Sequence, residues 1–110
     1  MKEVEESLQA LVAAIKKQEC CVKYKETLEI LKSDRELFAR FNEFRRKNME
    51  LHMRKNTLSE QSELRKEYDD LLTKEQVSNF LCWEQKTTEL FRGVYDAIAE
   101  EIDLDYSFLD

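Results

Sequence analysis

Proline is absent from this 110-residue chain and glycine occurs once, as Gly93, so almost nothing interrupts regular structure. A glycine-rich phosphate loop cannot be built from one glycine. Histidine is also single: His52 has methionine, not glutamate, three residues before it, which excludes the Glu-x-x-His pairs of a ferritin-like di-iron site. With one histidine, no Ser-His-Asp or Cys-His arrangement is arguable. Cysteine is scarce and odd in number. Cys20, Cys21 and Cys82 include a vicinal pair, match no zinc spacing and do not form a secreted disulfide framework, so reduced thiols and no metal or other cofactor are expected. No apolar run approaches the ~20 residues of a membrane span, and MKEVEESLQALVAAIKKQ at the start lacks the continuous apolar core of a signal peptide. The expectation is a cytoplasmic protein with no membrane insertion.

What is present is charge and apolar surface in near balance: 38% charged and 42% hydrophobic residues. That is a helical composition, and the length suits one domain over residues 1–110. Val4, Leu8, Leu11, Val12 and Ile15 form one stripe of an amphipathic helix. The pattern loosens at 17–21, predicting a break near Glu19, and resumes through Val22, Leu28 and Leu31. Ser33 with Glu36 has capping-box spacing and predicts a new helix. Thr57 with Glu60 and Thr73 with Gln76 repeat that spacing, which places the main hairpin turn at KNTLS (55–59) and a helix start near Thr73. The last helix should run from about 73 to 103, with Val77, Phe80, Leu81, Glu84, Thr88, Phe91, Val94, Tyr95, Ile98 and Ile102 inward. Thirty residues rise about 45 Å, longer than a compact globule of this size hides.

The predicted fold is therefore all-α: a long antiparallel helical hairpin with an additional N-terminal helix, assembling as a homodimeric or higher helical bundle. A second copy of the chain is the most economical cover for the exposed seam. The middle helix carries Leu37, Phe41, Phe44, Asn48 and Leu51 at alternating steps of four and three, a coiled-coil-like seam with an asparagine inside it. Interface candidates are Phe41, Phe44, Asn48 and Leu51 from this helix and Phe91, Val94, Tyr95 and Ile98 from the last, with monomer core as the alternative for each. Leu37, Phe80, Leu81 and Trp83 read as core.

Glu100 and Asp103 lie one turn apart, as in the E-x-x-D half of a magnesium site in all-helical nucleotide hydrolases. A second pair, Glu60 and Glu63, is separated from it by a stretch too long for paired helices of that kind. A solvated acidic face is the favoured reading, with no catalytic residue and no small-molecule substrate. Charge is uneven: residues 34–56 hold seven Lys or Arg against four acids, and 96–110 hold six acids and no base. The basic stretch, through Arg40, Arg45, Arg46, Arg54 and Lys55, is the one feature that suits RNA, but a formal charge of -6 makes direct nucleic-acid binding a minor alternative. Tyr106, Phe108 and Leu109 are too apolar for an idle tail and are expected to fold back onto a groove beside the basic helix of this subunit or of its partner copy, which makes Tyr106 and Phe108 further interface candidates.

The order of these pieces resembles the YlbF/YmcA family of small bacterial helical proteins: VKYKETLEILKSD (22–34), the Phe-rich helix, VSNFL (77–81) and DAIAEEIDLDY (96–106). The resemblance covers nearly the whole chain and is most specific at Ile98, Ala99, Glu100, Ile102 and Asp103. It implies an all-α protein that associates with itself and with a heterologous protein. The role it implies is non-enzymatic and regulatory, in competence, sporulation and biofilm formation, through a complex acting with a membrane-anchored endoribonuclease in mRNA processing. Cysteine-held iron–sulfur clusters of some relatives do not carry over, because no cysteine follows Cys82. Lys74-Glu75 stands where relatives often show Asn-Pro, a variation that Thr73 is expected to compensate.

Overall fold

The computed structural model describes residues 1–54, 58–103, 105 and 107–109. Six α-helices and a terminal 3₁₀ turn (Ser107–Leu109) account for nearly all of them: α1 (Lys2–Lys16), α2 (Glu19–Ser33), α3 (Arg35–Met53), α4 (Leu58–Glu67), α5 (Asp69–Leu72) and α6 (Glu75–Ile102). No strand occurs among the described residues. The break between α1 and α2 falls at Lys17 and Gln18, with Gln18 in extended backbone as the N-cap of α2, close to the predicted position.

Two of the helix starts use other residues than the expected boxes. Asp34, not Ser33, caps α3: its carboxylate accepts from the Leu37 amide at 3.1 Å. The Ser33 hydroxyl instead donates back to the Ile30 carbonyl at 2.5 Å. The residue that leaves helical geometry is the one that can cap, and that is Asp34, with φ -98° and ψ 94°. Likewise Thr73 turns its hydroxyl back to the carbonyls of Asp69 and Asp70, so it does not compensate at α6, whose N-cap is Lys74 without a side-chain bond. Of the third box, Thr57 lies outside the described residues.

The dominant packing joins α2 to α6. Thr87 Oγ1 lies 3.1 Å from the Cys20 carbonyl oxygen, Tyr24 stacks obliquely on Phe80 at 5.3 Å, and Thr27 and Ile30 border Glu75, Gln76 and Asn79, so the two helices run antiparallel. The expected hairpin about residues 55–59, of which 55–57 lie outside the described ones, has α4 and α5 as its second arm: Lys47 reaches Glu67 and Arg40 reaches Asp70, so these elements run back along α3. The long pairing is between elements far apart in sequence. The reason is that α2 and the first half of α6 present matching apolar faces, while α3 closes the core from one side. Leu31, Phe41, Leu71, Val77 and Phe80 are fully buried, with Leu37, Phe44, Leu64 and Tyr68 nearly so. Phe41 meets Phe80 edge-on at 5.7 Å and Phe44 meets Tyr68 at 5.4 Å, geometries that add about 0.5–1.5 kcal/mol each beyond area.

Part of the basic face of α3 is spent on this packing. Arg40 forks onto Asp70 at 2.6 and 2.9 Å. Lys47 Nζ donates to the Tyr68 hydroxyl oxygen at 2.8 Å, and that hydroxyl donates to Glu43 at 2.9 Å. Arg45 lies over the Phe41 ring, 4.7 Å from its centroid, and reaches Glu84 at 3.8 Å. Three bases of α3, Arg40, Arg45 and Lys47, are thus paired with acids of α3, α4, α5 and α6.

These pairs predict an acid limb of stability. The Arg40 hydrogen bond holds the Asp70 carboxyl below its ordinary range, and the Tyr68 hydroxyl, then Lys47, do the same for Glu43. A carboxyl depressed by folding contributes above its unfolded pKa, and the contribution disappears as pH falls through the folded value. Thermal melts should therefore drop between about pH 5 and pH 3, with a shallower drop in Asp70→Asn. Because Asp70 and Arg40 are both substantially exposed, the effect is modest. An identical slope in wild type and variant would remove the pair from the account.

The molecule is elongated. Its radius of gyration is 17.6 Å and its extents are 48 × 36 × 20 Å, against about 13 Å for a compact chain of this length. Its accessible surface is 8986 Å², where a compact monomer of this mass exposes about 6,400 Å².

Candidate interaction surface

The extra surface is concentrated where α1 and the second half of α6 extend past the α2–α6 core. No residue of α1 is buried. Val4, Leu8 and Val12 are exposed, Leu8 at 57%, and Leu11 and Ile15 are half-buried. On α6 the last buried residue is Thr87; Phe91 (54% exposed), Tyr95, Ile98 and Ile102 form the same kind of open stripe, with Val94 half-buried. Both stripes belong to one end of the molecule, because Cys20 at the head of α2 lies against Thr87. There Val12 and Ile15 share a groove of about 790 Å³ with Cys21, Val22, Tyr24 and Phe91. Contiguous exposed apolar surface on this scale marks a contact site. Exposed acids flank the stripes, Glu3, Glu5 and Glu6 on α1 and Asp96, Glu100 and Glu101 on α6.

The predicted interface residues divide. Phe91, Tyr95 and Ile98 lie on the open stripe, and Val94 beside them is half-buried. Phe41 and Phe44 do not belong to a surface: Phe41 is 0% exposed against Phe80, and Phe44 is covered by Tyr68. They are core, because α5 and α6 both close over that face of α3. Leu51 is half-buried against the same core, and Asn48 lines a separate groove with Met49, His52 and Met53. Tyr106 lies outside the described residues. Phe108 is 76% exposed. Spacing identifies the α1 stripe as a helix face; that it is also surface follows only from the fold, in which no residue of α1 is buried.

Other chemistry is thin. Glu100 and Asp103 are exposed, and Asp103 ends α6 in left-handed geometry at φ 62°. Among the described residues no cluster of three His, Cys, Asp or Glu could hold a metal ion. Cys20 and Cys21 are half-buried thiols and Cys82 is exposed. Burial, then the hydrogen bond with Cys20, pushes the Cys21 thiol up, away from the reactive thiolate. Among the described residues no helix is long and apolar enough to cross a membrane.

No curated protein and no solved structure matches the chain. One family does: the description "Control of competence regulator ComK, YlbF/YmcA" matches residues 4–103.

Proposed function

The chain belongs to the YlbF/YmcA family of competence-control regulators, and from that membership we propose that it is a non-enzymatic adaptor acting through protein contacts. By the resemblance, the process it serves is endoribonuclease-dependent mRNA processing in developmental regulation, in the cytoplasm. The observation that carries the reading is the pair of open apolar stripes on α1 and α6. A second copy is their first occupant. About 2,500 Å² of surface beyond the compact expectation exceeds the ~800 Å² per partner that a stable association buries. In a twofold arrangement each stripe is used by both copies, so every apolar residue counts twice. The acids flanking the stripes disfavour anionic lipid and RNA as the cover.

Multi-angle light scattering at micromolar concentration should report about twice 13.2 kDa. A stable monomer at that concentration would overturn self-association through these stripes.

A further inference from the structure

A second apolar groove lies away from the stripes, between α3, α4, α5 and α6, and encloses about 540 Å³. Its floor is Phe44, Leu72 and Leu81, the last two half-buried members of the core margin. Its wall is Met49 and Met53, the latter 76% exposed. Thioethers on an open wall adapt to many apolar partners at little packing cost. Along α3 the groove runs from Phe44 to Met53, about 13 Å at helical rise, or two and a half turns of a docked helix.

Charge selects the occupant. On α3, Arg40, Lys47 and, at the groove itself, Arg45 each meet a carboxylate. At this groove His52 and Arg65 make no ion pair among the described residues, and Arg54, which follows Met53 directly, makes none either. The one acid on the lining, Glu84, is already engaged by Arg45. Asn48 adds a half-buried amide with no hydrogen-bond partner among the described residues. In a chain with formal charge -6, Arg65 on the lining and Arg54 beside it outnumber the exposed Glu50 that follows Met49, which leaves a local positive excess around an apolar floor.

We infer that this groove docks an acidic amphipathic helix of a heterologous protein, apolar face on the methionines and carboxylates on Arg65, His52 and Arg54. The inference rests on the protein-contact reading and names the chemistry of its heterologous partner. RNA fits less well, since Phe44 is buried and His52 is the one exposed ring among the lining residues on which a base could stack.

The test uses the full chain and a fluorescein-labelled synthetic helix of about 16 residues, with leucines at i, i+3, i+4 and i+7 spacing and glutamates elsewhere, beside a copy with lysine for glutamate. Fluorescence anisotropy should show saturable micromolar binding of the glutamate peptide and at least ~10-fold weaker binding of the lysine peptide. Arg65→Glu and Met53→Asp, both surface changes, should each weaken the glutamate peptide at least ~10-fold while the scattering mass stays that of wild type. Equal binding of the two peptides, no binding at ~1 mM, insensitivity to both substitutions, or preference for oligouridylate would each overturn it. Failure of self-association appears in the mass alone, so the two readings fail separately.

Discussion

Phe41→Ala should cost about 3–5 kcal/mol and leave little folded protein at physiological temperature. Phe41 is fully buried, its ring edge-on to Phe80 and beneath the Arg45 guanidinium. Truncation leaves a cavity where α3 meets α6 and removes the surface on which Arg45 rests. The core around it is thin, nine buried apolar residues among the described ones, so few neighbours can relax into the gap. Far-UV circular dichroism during thermal melting reads the result: a large fall in midpoint is expected. A cooperative melt near wild type, together with a monomeric mass, would instead restore Phe41 to an interface.

Phe91→Asp should give the reverse pattern. Phe91 is more than half exposed in the single chain, so the monomer loses little and its helical signal should persist. In the assembled state a carboxylate would enter an apolar contact from each of two equivalent positions. Burying a charge without a partner costs several kcal/mol, so a weakening of about 100-fold or more in the dissociation constant is expected. Sedimentation equilibrium distinguishes the outcomes; an unchanged association constant would show that the α6 stripe is not the contact. Phe41 and Phe91 together separate a core residue from a surface residue that spacing alone placed in one class.

That ambiguity defines how far the sequence could be read. The helices were legible because proline and glycine are nearly absent and the apolar period is sustained, and the α6 boundaries fell within two residues of those expected. The pairing was not legible. Seams on α2, α3 and α6 all have the same period, and nothing in period says that α2, rather than α3, is the long partner of α6. Caps were displaced for a local reason: Ser33 and Thr73 have the right spacing but sit inside the preceding turn, where hydroxyls bond back to carbonyls. The basic run in α3 was visible, but its neutralisation by Asp70, Glu43 and Glu84 depends on tertiary placement. Half of the candidate surface, Phe91 to Ile98, was found by spacing; the α1 half required knowing that no other element covers it.

The α2–α6 pairing also sets a timetable. The Thr87 hydroxyl and the Cys20 carbonyl that it meets are 67 residues apart. At a synthesis rate of about 5–20 residues per second, roughly 3 to 13 seconds separate their appearance. Helix formation itself takes about a microsecond, so the side of α2 that packs on α6, with Tyr24 on it, lacks that cover until α6 has emerged. During that interval the growing chain shows the cell a sticky face that the mature protein hides, and the last helix made is the one that closes it.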